Sequence, residues 1–240
     1  MFHDFVYQPL YNILIILYNT IPGGDFGFAI ILFTFILRLA LVPIYKKQVE
    51  SQKRLQELQP KLKEIQQKHK DDKEKQTKEI MEFYKKNKTN PFSGCLPMVV
   101  QLIFLIAIYR ILINISNDNF AVKAEELYSF VANPGIINHV FIKIVDLTKP
   151  NVVLAVLAAA AQFYQSKMLI KNQPASPKSD DNKPDFVQMM SKQMLFLGPL
   201  LTLFIGIKFA AGVALYWLAS TVFMIIQQWQ IERSKKAQIQ

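Results

Sequence analysis

The sequence predicts an all-α membrane protein with five transmembrane helices, a cytoplasmic antiparallel helical hairpin and an N-terminal interfacial helix. Three observations lead there. The 240 residues are 51% hydrophobic with mean hydropathy +0.17, and the apolar residues come in blocks approaching the roughly 20 residues that cover a hydrocarbon core of about 30 Å. Between the first two blocks, from Lys46 to Gly94, 14 Lys/Arg stand against 8 Asp/Glu. The net charge of +10 is distributed unevenly among the loops, so it reads as membrane sidedness rather than as a nucleic-acid surface.

Residues 1–25 contain the apolar run Ile13 to Leu17 but no Lys or Arg, unlike the positive opening of a secretory signal. Phe2, Phe5, Tyr7, Tyr11 and Tyr18 among aliphatic residues suit a helix in the headgroup layer, ended by Pro22-Gly23-Gly24. A frayed extension of the first span is the alternative. The first span covers 26–45, interrupted by Arg38 and with Pro43 near its end, where a kink is tolerable. The hairpin covers 46–93. Leu55, Leu58, Leu62 and Ile65 form one apolar stripe, Lys70-Asp71-Asp72 a polar break, and Ile80, Phe83 and Tyr84 a second stripe. So short a seam predicts marginal stability and mobility, with Pro60 disturbing the first arm.

The second span covers 94–114, and an external loop follows over 115–150, with a short surface helix expected from Ala124 to Val131. The third span covers 151–169. A cytoplasmic linker, 170–193, is rich in Pro, Lys, Ser and Asp between Lys171 and Asp185. Spans four (194–208) and five (213–230) are joined by a few residues around Ala210-Ala211-Gly212, which makes them an antiparallel pair, and a tail covers 231–240. Placing the hairpin, linker and tail inside gathers 14 Lys/Arg in the hairpin, 5 from Lys167 to Lys192 and 3 in the tail, 22 of the 28, on the cytoplasmic side, which puts the N-terminus outside and the C-terminus in the cytoplasm.

An Arg within a span costs about 2.5–3.5 kcal/mol on insertion scales, so Arg38 needs a compensating environment. Two readings stand at this point: snorkelling toward Lys46, or a water-containing cavity inside the bundle lined by Thr34, one turn earlier on the same face. Gln101, Gln162, Gln165, Tyr216 and Trp217 supply further polar groups within the spans. Each alone is ordinary interhelical glue; with Arg38 they could line one polar groove. Arg110 and Lys208 near span ends read as snorkelling side chains, Trp229 as an interfacial anchor, and the lone Cys95 as a packing residue.

No expected span holds an Asp or Glu, which disfavours a proton- or cation-coupled carrier. No nucleophile array, HExxH, P-loop or paired catalytic carboxylates can be assembled, and His3, His69 and His139 are far apart, so neither enzyme activity nor a metal or other cofactor is expected.

Span, basic hairpin and four further spans resemble the core of the YidC/Oxa/Alb insertases. Thr34-Phe35-Ile36-Leu37-Arg38 with Pro43 looks like that family's first core span, and Leu58-Gln59-Pro60-Lys61 like its hairpin signature. Asn90 to Pro97 with Gln101 resembles its second-span entry, Gln165-Ser166-Lys167-Met168 the end of its third, and Gly212, Leu215-Tyr216-Trp217 and Ile226-Gln227-Gln228 its fifth. Ala210 stands where many relatives have Pro, and Thr221 where many have Asn. The resemblance implies an insertase and chaperone of a bacterial plasma membrane that works without nucleotide hydrolysis, through a hydrophilic groove open to cytoplasm and lipid. It implies nascent membrane proteins as substrates, contacted by the groove residues above. Ribosomes, the Sec translocon, the signal-recognition machinery and anionic lipids are the partners expected at the hairpin, through Lys53, Arg54, Lys61, Lys63 and Lys68. The competing class is a channel or transporter whose hairpin senses a partner.

Overall fold

The computed structural model describes residues 2–21, 23–70, 72–87, 89, 96–171 and 186–239. Cys95, most of the expected linker and the first residues of the second-span motif lie outside the described residues.

A π-helical turn, His3–Tyr7, runs into α1, Gln8–Thr20. Tyr7 of the turn and one face of α1, with Leu10, Tyr11, Leu14, Ile15 and Tyr18, enter the hydrophobic core. The aromatic residues assigned from sequence to the headgroup layer are thus partly core residues, and the exposed apolar positions are Phe5, Ile13 and Ile16. Gly23 and Gly24, both at positive φ, turn the chain into α2, Phe26–Ala40, whose N-terminus is capped by Asp25. The Asp25 carboxylate accepts from Gly27 N at 2.8 Å and Phe28 N at 3.3 Å, satisfying donors that a helix start leaves orphaned.

α2 breaks at Leu41, and α3, Val42–Lys68, resumes at once with Pro43 in its first turn. The sequence places the boundary after Tyr45; the break comes earlier because Pro43 lacks the N–H that would continue the ladder, whereas at a helix start none is needed. Pro60 lies inside α3, which runs on through it. α4, Lys73–Lys86, is capped by Asp72 and lies beside α3. Gln76 donates to the Gln66 carbonyl at 2.8 Å, and Glu79 pairs with Lys68 and His69. Leu62 is buried in the seam, while Leu55, Leu58, Ile65, Ile80, Phe83 and Tyr84 are half-buried.

The apolar helices follow: α5, Leu96–Asn117; α6, Val152–Lys171; α7, Phe186–Lys208; and α8, Ala211–Ile239. α7 starts earlier and α8 ends later than the apolar blocks, since Gln, Lys, Met and Arg sustain a helix as well as aliphatic residues do. Among the described residues two helices are long and apolar enough to cross a membrane: Val152–Leu169, of which 22% is buried, and Ala211–Ile231, of which 67% is buried. Shorter apolar helices span Phe26–Ala40, Gln101–Asn117 and Leu195–Lys208. The chain is an all-α membrane protein, and the difference in burial makes α8 its central helix, packed by α2, α5, α6 and α7. Close approach uses small residues: a Cβ on Gly206 would stand 2.7 Å from Ala155 Cβ, and one on Gly212 2.8 Å from Leu112 Cδ1.

The segment after α5 caps one end of the bundle. The helix expected over Ala124 to Val131 is instead a single 3-10 turn, Ala124–Glu126. Its backbone is claimed from outside: Asn12, fully buried in α1, donates to the Glu126 carbonyl at 2.8 Å and accepts from Tyr128 N at 2.7 Å. His3 adds a contact to Glu126 at 3.0 Å, and the Asp4 and Glu126 carboxylates raise its pKa. Two short strands the sequence did not announce, β1 (Val140–Phe141) and β2 (Val145–Asp146), form an antiparallel hairpin. The cap then reaches α8: Ala211 N donates to the Lys149 carbonyl at 2.8 Å and Gly212 N to the Leu147 carbonyl at 2.9 Å. Its own Val122, Val131, Ile137 and Leu147 are buried.

Asn12→Ala takes the acceptor from Tyr128 N and leaves the Glu126 carbonyl only the longer contact from Gln8 Nε2 at 3.4 Å, and an unmet buried group costs about 1–3 kcal/mol. The variant is expected to lower the thermal midpoint in detergent and to speed amide exchange at Tyr128, with exchange in α6 unchanged.

Candidate functional site

Arg38 sits in the last turn of α2, twelve residues and so about 18 Å along the axis from the capped end at Phe26. Its guanidinium meets neutral acceptors: Nε donates to Ser220 Oγ at 2.8 Å, and Nη2 donates to both Ser220 Oγ and Gln101 Oε1. None of the described carboxylates pairs with it, in keeping with spans that lack acidic residues. A charge held by oxygen dipoles alone keeps its field. Ser220 and Gln101 also approach each other, at 3.4 Å, so α2, α5 and α8 converge on one guanidinium.

The groove residues expected from sequence divide between two faces of α8. Gln101 joins Arg38. Tyr216 lies one turn before Ser220 and is almost wholly buried beside Ser220, Gln101 and Arg38. Trp217, on the adjacent face, donates from Nε1 to Gln162 Oε1 at 3.3 Å, and Thr221 donates to the same oxygen at 3.3 Å. One turn further, Gln165 Nε2 lies 3.3 Å from Met224 Sδ. Thr34 is fully buried, and its hydroxyl donates to the Ile30 carbonyl at 2.6 Å within its own helix; it bonds no other member of the cluster. Toward the hairpin, Tyr45 donates to Gln228 at 3.1 Å and ties the start of α3 to α8.

Several polar atoms here are buried without a protein partner among the described residues: Gln101 Nε2, Gln165 Oε1, Tyr216 Oη and Gln227 Nε2. They come from α5, α6 and α8, from Gln101 beside Arg38 to Gln227 toward the hairpin. No cluster of His, Cys, Asp and Glu among the described residues could hold a metal ion.

Among the hairpin residues, Arg54, Lys61 and Lys68 are exposed, Lys68 with Glu79 at 3.5 Å. Lys53 and Lys63 belong to α3, and their side chains lie outside the described residues. A polar cavity of about 150 Å³ opens at the hairpin base, lined by Lys47, Glu50, Ser51, Arg54 and Thr89.

Residues 16–238 match the model of the 60Kd inner membrane protein family. The chain belongs to that family. A Fusobacterium nucleatum member named membrane protein insertase YidC is 31% identical over 230 residues, covering 95% of this chain and 97% of the relative. Relatives of the same name from Streptomyces avermitilis and Nitratidesulfovibrio vulgaris (strain DP4) are 29% and 31% identical, and the chain spans 54% and 39% of their lengths. The family match runs from α1 to the end of α8 and so contains every residue of the polar cluster.

Ser220, the principal acceptor for Arg38, escaped the sequence reading, as did Met224 and the part Thr221 plays. Small hydroxyl residues are common in apolar helices, and only the one-turn spacing from Tyr216 marks Ser220 as a neighbour of the site.

Proposed function

We propose that this chain is a membrane protein insertase and chaperone that accepts the short polar tail of a substrate beside Arg38 while the apolar segment passes along the helices into lipid. The observation that carries the reading is the charged guanidinium of Arg38, held on neutral acceptors from α5 and α8. It has no carboxylate partner among the described residues and can attract an acidic tail. The unpartnered polar atoms around it support a hydrated groove, since water would offset the roughly 1–3 kcal/mol that each unmet group costs. The cap, with Ile137 and Leu147 buried in it, supports a groove closed at that end and open at the hairpin end. The driving force is transfer of the substrate's apolar segment from water to lipid, with no nucleotide and no enzymatic step. Names carried by the relatives agree with this function.

In this reading α2, α5, α6, α7 and α8 all cross a bacterial plasma membrane. Groove contacts come from Arg38, Gln101, Gln162, Gln165, Tyr216 and Trp217, with Thr34 supporting the wall. The exposed basic residues of α3 meet ribosomes, translocon or targeting components, or anionic lipid.

Proteoliposomes holding only this protein test the proposal. Insertion of a short-tailed single-span substrate without ion leakage is the expected result; ion or solute flux without insertion would make the chain a channel or carrier. Sidedness is read separately, with a single cysteine at Lys63. Labelling from the cytoplasmic side is expected, and labelling only from outside would invert the topology.

A further inference from the structure

We propose that the tip of the β1–β2 hairpin, Ile142-Lys143-Ile144, is a lipid contact that seats in the bilayer interface at the end of α2. The turn itself is unusual. Ile142 and Lys143 both have positive φ, +46° and +61°, and Ile144 N donates to the Phe141 carbonyl at 3.0 Å, the pattern of a type I′ turn. That turn favours Asn-Gly, and a β-branched residue at positive φ is strained. Apolar side chains therefore occupy this tip against local preference, and they point outward: Ile144 is 79% exposed and Ile142 47%.

The tip is fixed to α2. Asp25, which caps that helix through one carboxylate oxygen, accepts from Ile142 N through the other at 2.7 Å. The Phe141 ring fills the space where a Cβ on Gly27 would stand 2.1 Å from it, and packs edge-on against Phe28 with ring centroids 5.3 Å apart. Phe28 begins a stripe of exposed apolar residues on α2, continued by Leu32, Ile36 and Leu39. Spaced by three or four residues, these share one helix face, the face that bilayer would cover. Phe28, Phe141 and the two isoleucines extend that surface beyond the helix end. Lys143 between them is exposed and can lay its stem on the apolar surface while its ammonium meets lipid phosphate. The occupant is thus phospholipid of the same membrane. Such a wedge would fix the depth and tilt of α2, and with it the height at which Arg38 stands.

This inference rests on α2 crossing the bilayer, and the test separates the two. In a Cys95→Ser background, single cysteines at Leu32, Ile144 and Glu125 carry an environment-sensitive fluorophore in phosphatidylglycerol/phosphatidylethanolamine proteoliposomes. Labels at 32 and 144 are expected to emit to the blue of the label at 125 and to be quenched by nitroxide-bearing lipid, with only the label at 125 quenched strongly by iodide. A label at 144 that behaves like 125 while 32 remains lipid-quenched would overturn the wedge and keep the span; iodide quenching at all three would overturn both. A blue shift at 144 accompanied by 144–144 cross-linking between copies would assign the tip to a second copy and also end the proposal. Combining Ile142→Asn with Lys143→Gly should remove lipid quenching at 144 with no loss of thermal stability; unchanged quenching in that variant would count against it.

Discussion

Arg38→Ala is expected to lower insertion of an acidic-tailed substrate tenfold or more, whereas Arg38→Lys retains part of the activity. The alanine variant removes both the charge and the contacts to Ser220 and Gln101, and hydrogen bonds to a charged group are worth about 1.5–3 kcal/mol each. Lysine restores the positive charge but not the planar fork that spans α5 and α8 at once, so its ammonium stands at a less fixed point. Substrates without tail charge should respond less to either change. Measured as the protease-protected fraction of a short-tailed substrate at matched protein levels, this ordering distinguishes a groove charge from a snorkelling side chain. Equal insertion of every substrate by wild type and Arg38→Ala would remove Arg38 from the mechanism. Ser220→Ala should fall between wild type and Arg38→Lys, because Gln101 continues to accept from the guanidinium.

What the sequence revealed about this site follows from contrast. Arg38 and Gln101 stand out because a charge or an amide in an apolar block is costly and must be explained, and the structure brings those two together. Ser220 carries no such contrast, although it receives more of the guanidinium than Gln101 does. Thr34 is the reverse case: one helical turn puts it on the same helix face as Arg38, but a buried threonine readily satisfies its hydroxyl on the carbonyl four residues back, and it does so here on Ile30. Pro43 marks the break at Leu41 to within a few residues, because a proline can either kink a helix or open one. The cap was the least legible part. Its 3-10 turn is set by Asn12, more than a hundred residues earlier, and its hairpin turns on Ile142 and Lys143, residues that no turn preference selects. Long-range hydrogen bonds and burial decide both, and neither leaves a periodic trace.

Gly206→Ala is expected to be more damaging than Gly212→Ala where apolar helices cross. The added Cβ would stand 2.7 Å from Ala155 Cβ and 2.9 Å from Ala155 Cα, so α6 and α7 must separate, since backbone cannot turn aside as a side-chain tip can. Overpacking of this kind costs about 1–3 kcal/mol, a fall in thermal midpoint of roughly 5 °C for a chain of this size. Gly212→Ala supplies the comparison: its nearest neighbours are the Leu112 methyls at 2.8 and 2.9 Å, the far end of a side chain that can rotate, and its effect should be smaller. Adding Ala155→Gly to Gly206→Ala relieves the clash between the two methyl groups but leaves the new methyl pressed against the α6 backbone, so the double variant should recover only part of the loss. The strain propagates to the polar cluster, because α6 supplies Gln162 to Trp217 and Thr221; Trp217 fluorescence is expected to shift in Gly206→Ala and to return part of the way in the double variant. A Gly206→Ala protein with wild-type stability and an unshifted Trp217 spectrum would mean that α6 and α7 slide past each other without cost, and that their close crossing does not position the site.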